Sequence, residues 1–191
     1  MMTARPNAAR RLSVAAAVAL GAAGALVAPA SAAGYPIPYY TNFESEIKAS
    51  HSGKCLEIAD WRTDDGAPAR QWTCTGGDNQ KWRFNADGTI VNLHSGKCLE
   101  DPGWNTAPPV QVGQWACHGG LNQQWYWSGR KTDVNPNTLF NLHAGLNVDI
   151  SGNSKDDGAA AILWHAVGWW PTPDQMNQYF YLTLPKGPAS S

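Results

Sequence analysis

The chain has 191 residues, and 14 Lys and Arg stand against 15 Asp and Glu, a formal net charge of −1. That balance, without a basic run, argues against nucleic acid or an anionic membrane surface as the partner. The length is enough for one domain with a real core, and 19 Gly with 13 Pro are too many breakers for long helices.

The chain opens on Arg5, Arg10 and Arg11, followed by an uncharged Ala/Val/Leu/Gly stretch from Leu12 to Val27 and the small residues Ala30-Ser31-Ala32. Basic start, apolar middle and small-residue end make residues 1–33 a secretory signal peptide, cut after Ala32 or Ala33. The apolar run is short for a bilayer span, so membrane insertion is not expected. Cleavage removes three Arg and no acid, leaving 11 basic and 15 acidic residues and a net charge near −4. Residues 34–42 form a lead, and 43–191 form the domain of a secreted, extracellular protein.

Within that domain the heptapeptide His51-Ser-Gly-Lys-Cys-Leu-Glu57 returns as His94 to Glu100, and a worn copy, His-Ala-Gly-Leu-Asn-Val-Asp, runs from His143 to Asp149. Each copy also closes alike, on Asn79-Gln80-Lys81-Trp82, Asn122-Gln123-Gln124-Trp125 and Asn177-Gln178-Tyr179-Phe180. Self-similarity at a fixed period means one supersecondary unit built three times, here about 43–93, 94–142 and 143–184, with a short C-terminal tail. Cys55 and Cys74 are 19 apart, as are Cys98 and Cys117. Equal spacing in equivalent repeats argues for two disulfides, Cys55–Cys74 and Cys98–Cys117, and export favours them over a zinc site. Asn147 and Ala166 hold those positions in the third copy.

The first copy alternates short apolar runs with turns: Cys55–Ile58, Thr63-Asp64-Asp65-Gly66, Ala69–Cys74, Thr75-Gly76-Gly77-Asp78, Lys81–Phe84, Asn85-Ala86-Asp87-Gly88 and Thr89–Leu93. Four short strands with Asp-Gly and Gly-Gly turns make an all-β unit. One such unit cannot bury its apolar face alone, so twelve strands packed around a shared core predict a β-trefoil. Three propeller blades would be too few to close.

The in-phase Gln-x-Trp closings, joined to a Gly-Lys-Cys-Leu-acid opening and a second Cys nineteen residues on, resemble ricin B-type lectin domains from about Phe43 to Leu184. The resemblance implies a β-trefoil of pseudo-threefold symmetry that binds carbohydrate at up to three sites, one per repeat; the residues themselves offer no catalytic set, and neither a cofactor nor a metal is expected. Its acid two residues after the first Cys maps to Glu57, Glu100 and Asp149, and its ring two before the second Cys maps to Trp72, Trp115 and Trp164. Its amides map to Asn79, Asn122 and Asn177, supported by Gln80, Gln123 and Gln178. Such a set suits a neutral sugar: a carboxylate and an amide meet hydroxyls, and an aromatic face meets the apolar C–H side. The chain departs from the family at the acid, where only Asp149 is Asp. It also departs four residues before the second Cys, where Arg70, Gly113 and Ile162 stand in place of Gln, with Gln71 and Gln114 one residue later.

Trp82, Trp125 and Phe180 read as core. Trp61 and Trp104, each six residues past a first Cys, read as extra stacking platforms or as lids over the strands below. The recurrent His51, His94 and His143 read as turn-stabilising groups or, if they converge on the axis, as metal ligands. The insertion carrying Trp169-Trp170 would reshape the third site or cover a looser core. Glu57, Glu100 and Asp149 fall in separate lobes, too far apart for a glycosidase pair. The expected partner is therefore a polysaccharide or glycan held by several weak sites, alone or beside a separate enzyme chain. The competing function is a protein-binding trefoil such as a protease inhibitor.

Overall fold

The computed structural model describes residues 42–128, 137–167 and 172–183, all within the unit Gly34–Ser191. The expected signal peptide, nearly all of the 34–42 lead, the C-terminal tail and Trp169-Trp170 lie outside the described residues. The first repeat holds β1 (Phe43–Ala49), β2 (Cys55–Ile58), β3 (Ala69–Trp72) and β4 (Lys81–Phe84). The second holds β5 (Ile90–Asn92), β6 (Cys98–Glu100), a run split at Val112 into β7 (Val110–Gln111) and β8 (Gly113–Trp115), and β9 (Trp125–Trp127). The third holds β10 (Leu139–Asn141), β11 (Leu146–Ile150), β12 (Ala161–Trp164) and β13 (Phe180–Thr183). Counting the split run once gives four strands per repeat, and no α-helix occurs among the described residues. Each unit begins one strand ahead of its histidine, because β1, β5 and β10 pair back onto the strands that close a repeat.

Six strands form a closed ring. β1 pairs with β13 and β4, β4 with β5, and β9 with β10, while bridges Thr89–Gln124 and Asn137–Phe180 join the remaining neighbours. Closure gives each of the six ring strands a neighbour on both sides among the described residues. The other strands form hairpins β2–β3, β6–β8 and β11–β12 that cap one end, completing a β-trefoil. At their meeting point Ala69 N–H donates to the Val112 carbonyl at 2.8 Å and Val112 N–H to that of Ala161 at 2.9 Å. Gln111 Nε2 lies 2.8, 2.9 and 3.0 Å from the carbonyls of Ala69, Val112 and Ala161, so its two hydrogens are shared among the three backbone acceptors that converge on the axis.

Burial follows strand period: in β1 the odd positions Phe43, Ser45, Ile47 and Ala49 point inward. Trp82, Trp125 and Phe180 are fully buried with Ile47, Leu56, Leu99, Leu139 and Leu163. Burying each such side chain contributes about 1.5–3 kcal/mol. Trp82 Nε1–H donates to the Leu56 carbonyl at 3.0 Å and Trp125 Nε1–H to that of Leu99 at 2.9 Å. The closing ring of each repeat is thus core, and in two repeats it is hydrogen-bonded to the opening motif.

The disulfides are Cys55–Cys74 and Cys98–Cys117, each with Cα atoms 5.1 Å apart. The rest of the opening heptapeptide holds neighbouring repeats together. His51 Nε2 contacts the Ser154 carbonyl at 2.8 Å, His94 Nε2 that of Trp61 at 3.0 Å, and His143 Nδ1 meets Asp101 Oδ2 at 3.0 Å. Each histidine therefore pins the hairpin loop of the preceding repeat, cyclically, and the three do not converge on the axis. Lys54 pairs with Asp157 and Lys97 with Asp65, both at 2.6 Å and both across a repeat boundary.

Candidate functional site

The capping hairpins bring the expected residues onto one face in all three repeats. Across each hairpin Glu57 is paired with Arg70, Glu100 with Gly113 and Asp149 with Ile162, while Trp72, Trp115 and Trp164 stand opposite Cys55, Cys98 and Asn147. Two-residue periodicity then places acid, opposing residue and ring on the same side of the ribbon.

The glutamine of each closing motif supports the acid from below. Gln80 Nε2 donates to Glu57 Oε2 (2.9 Å) and the Thr73 carbonyl (3.0 Å), and its Oε1 accepts Thr75 N–H at 2.7 Å. Gln123 does the same for Glu100 (2.6 Å), Ala116 O (3.0 Å) and His118 N–H (2.8 Å). Gln178 repeats the pattern with Asp149 (2.9 Å), His165 O (2.8 Å) and Val167 N–H (3.0 Å). All three glutamines are fully buried, so they position the acid and clamp the loop after the third strand and do not face solvent. The asparagines are buried as well, Asn177 least. Asn177 Nδ2 donates to Asp149 Oδ1 at 2.8 Å and to Ile150 O at 3.0 Å, Asn79 donates to Glu57 at 3.2 Å, and Asn122 donates to the Asp101 carbonyl at 3.2 Å.

The three copies then diverge. In the third, Asp149, Ser151, Gly152, Asn153, Ile162, Trp164 and Asn177, with Pro109 of the neighbouring repeat, line an open cleft of about 300 Å³. Its Trp164 ring is exposed. Burial pushes the Asp149 carboxyl up, against the amides of Gln178 and Asn177 that favour its charge.

In the second copy Glu100 also meets His118 Nε2 at 3.2 Å. Gly120 N–H donates to His118 Nδ1 at 3.2 Å, so the neutral imidazole carries its proton on Nε2 and donates it to the acid. Burial raises the Glu100 pKa, opposed by Gln123 and His118. Trp115 is exposed.

In the first copy Glu57 Oε1 accepts Arg70 Nε–H at 3.0 Å, Arg70 Nη2 reaches Asp60 at 2.8 Å, and the guanidinium lies 4.3 Å from the centre of the Trp72 ring. Trp72 is correspondingly partly buried, unlike Trp115 and Trp164. The spacing had marked position 70 as a departure; the guanidinium's two acidic partners and its ring contact come from the fold.

Trp61 and Trp104 are each about half-exposed, with one side packed on the closing loop. A Cβ on Gly77 would lie 2.7 Å from the Trp61 ring and one on Gly120 2.9 Å from that of Trp104, so these glycines permit the close approach. Both tryptophans have φ of 55°, a left-handed conformation costly for a bulky residue, and they rest edge-on against His94 and His143 at 4.9 and 4.8 Å. Asn153 takes the same backbone form (φ 51°) in the third repeat, where a small amide suits it. Gln71 and Gln114 are buried and donate to loop carbonyls of the preceding repeat, Ser154 at 2.7 Å and Arg62 at 3.1 Å, away from the acids. Glu46, Cys55 and Cys74 cluster within 4.8 Å, but the two sulfurs are bonded to each other, which leaves one carboxylate and no ligand set.

A sequence profile of the ricin-type β-trefoil lectin domain matches residues 43–166. A designed threefold symmetric protein, ThreeFoil, shares 34% identity over 73% of this chain and 96% of its own, with a TM-score of 0.65. The exo-β-1,3-galactanase 1,3Gal43A from Clostridium thermocellum shares 27% identity over 78% of this chain, with a TM-score of 0.66, but the match spans 31% of that enzyme. A ribosome-inactivating protein of Polygonatum multiflorum is 37% identical over 41 residues, which is 22% of this chain and 7% of that protein.

Proposed function

From a chain that belongs to the ricin-type β-trefoil lectin family, we propose a secreted, non-catalytic carbohydrate-binding protein whose principal site is the third-repeat cleft. The observation that carries this reading is the joint placement of Asp149, Asn177 and the exposed Trp164 around one open cleft. Each Asp149 oxygen accepts one amide hydrogen, which leaves lone pairs for two sugar hydroxyls, and the indole offers an apolar face to the C–H side of the ring. A shallow site of this kind binds near millimolar, about −4 kcal/mol. The basic-apolar-small N-terminus and the two disulfides support export.

Among the described residues the acid faces Arg70, Gly113 or Ile162 across its hairpin, and in the first repeat Arg70 ion-pairs with both Glu57 and Asp60, an arrangement unlike a free acid and base pair for hydrolysis. The galactanase is matched over under a third of its length, so a β-1,3-linked galactan is the first polysaccharide to try and an enzyme acting on it is the partner class. Calorimetric titration with lactose and β-1,3-galactobiose, alongside a glycan array, tests the reading. Binding is expected, and Asp149→Ala or Trp164→Ala should weaken it at least tenfold with the fold retained. Silence across the array, or binding indifferent to both substitutions, overturns it.

A further inference from the structure

The first repeat carries two coordinated departures from the other two. Position 60 is Asp where the equivalent residues are Gly103 and Gly152, and position 70 is Arg where they are Gly113 and Ile162. The fold joins them: Arg70 Nη2 meets Asp60 at 2.8 Å while Nε meets Glu57 at 3.0 Å. The same guanidinium lies 4.3 Å over the Trp72 ring, on the platform a sugar would need. We propose that Arg70 is an internal ligand that closes the first-repeat site to neutral sugars, so that the residue facing the acid, and not the repeat count, decides how many sites work. This rests on the carbohydrate reading above.

Three contacts make the closure strong. Glu57 Oε2 already accepts from Gln80 at 2.9 Å and Asn79 at 3.2 Å, and Arg70 takes the remaining oxygen. Bonds between two charged groups exceed those a neutral hydroxyl can offer, so a sugar gains less than it must displace. The ring contact adds a cation–π attraction in a partly desolvated place, where Arg70 is mostly covered. Asp60 supplies a second carboxylate from a left-handed turn (φ 56°), which anchors the far end of the guanidinium. In the second repeat Gly113 faces Glu100 and Trp115 is exposed; His118 meets Glu100 from the closing loop, on the oxygen that Gln123 already holds, and among the described residues no guanidinium covers the ring.

The test follows the indole N–H signals of Trp72 and Trp164 by ¹⁵N NMR during titration with lactose, β-1,3-galactobiose and xylobiose. In the wild type the Trp164 signal is expected to move and that of Trp72 to stay. In Arg70→Gly, the second repeat's residue, and in Arg70→Ile, the third's, Trp72 should move as well, and the calorimetric stoichiometry should rise by one. Unchanged signals of the buried Trp82 and Trp125 report an intact fold. A Trp72 signal that moves in the wild type overturns the proposal, and this arm does not depend on either variant folding. So does a Trp72 signal that stays put in both folded variants while Trp164 responds. If Trp164 is also silent with every sugar, the carbohydrate reading falls and takes this proposal with it.

Discussion

Asp149 is held on both oxygens by amides, at 2.8 and 2.9 Å, yet burial outweighs them and raises its pKa from the ordinary Asp value. Sugar hydroxyls donate best to the ionised form, so affinity at this cleft should fall on acidification, beginning at a higher pH than for a free Asp. Calorimetry across that window checks this, and Asp149→Asn should flatten the profile. Stability runs the other way. The native carboxyl holds its proton more tightly than the unfolded chain does, so this group's contribution is present below the ordinary Asp value and is lost as pH rises through the raised one. The neighbouring residues separate positioning from contact. Gln178→Leu leaves Asp149 and Val167 N–H without their buried partner and should cost about 1–3 kcal/mol in urea unfolding. Trp164→Ala, at an exposed ring, should cost under about 0.5 kcal/mol while lowering affinity. The family resemblance marks acid, ring and amide, and the hairpin pleat that repeats with the sequence sets acid and ring on one side in each repeat. The sequence also marks Gln80, Gln123 and Gln178 as structural amides, since a buried amide can satisfy turn backbone groups, but which loop each one clamps emerges only from the fold.

The strand and the hairpin explain why the opening heptapeptide is written so nearly alike. Its cysteine closes a loop of its own repeat, but its histidine and lysine act on the previous one: His51 reaches Ser154 and Lys54 reaches Asp157, both 103 residues away. No local pattern announces such partners, because the first repeat meets the third only once the ring closes. Strands β2 to β5 follow from short apolar runs between turns. β1 is harder to isolate, because its polar outward residues blend with the lead before it. In the third repeat the register survives without the staple: Asn147 stands opposite Trp164 as Cys55 stands opposite Trp72. Asn147→Cys with Ala166→Cys should therefore close a third disulfide of the same 19-residue separation seen in the other two. The displaced Asn147 amide makes only a 3.4 Å contact to Gln178, so little is lost. At about 3 kcal/mol for a loop of this size, the melting temperature should rise by about 5–10 °C, read by calorimetry with and without reductant. Closure of the bridge without a rise in melting temperature would mean that the register is strained there.

At the scale of the molecule, the ring of six strands and the hairpin cap set equivalent sites around one axis, each at a boundary between repeats. Trp164 shares its cleft with Pro109, and Trp115 packs near Gly66, so a site belongs to two repeats at once. Threefold architecture was legible because the period is kept at both ends of each unit. The third repeat stands out in the sequence by its Asp149, but the Arg70 contacts of the first do not, because they turn on Asp60 and Arg70 meeting across a turn. Sites carried on one body and facing apart cannot engage one small sugar together, but they can engage neighbouring chains of a polymer. Once one site is bound, the second meets the local sugar concentration of the polymer, and the gain over single-site affinity is about the ratio of that concentration to the single-site Kd, roughly tenfold where the polymer presents about 10 mM sugar. Retention on immobilised β-1,3-galactan should therefore surpass the affinity for free galactobiose about tenfold in the wild type. Asp149→Ala should bring the two measurements together, because it leaves the second repeat as the one open site. Arg70→Gly should widen the gap by adding a third. Equal values for polymer and free sugar in the wild type would instead assign all binding to a single cleft, and Asp149→Ala would then abolish retention outright.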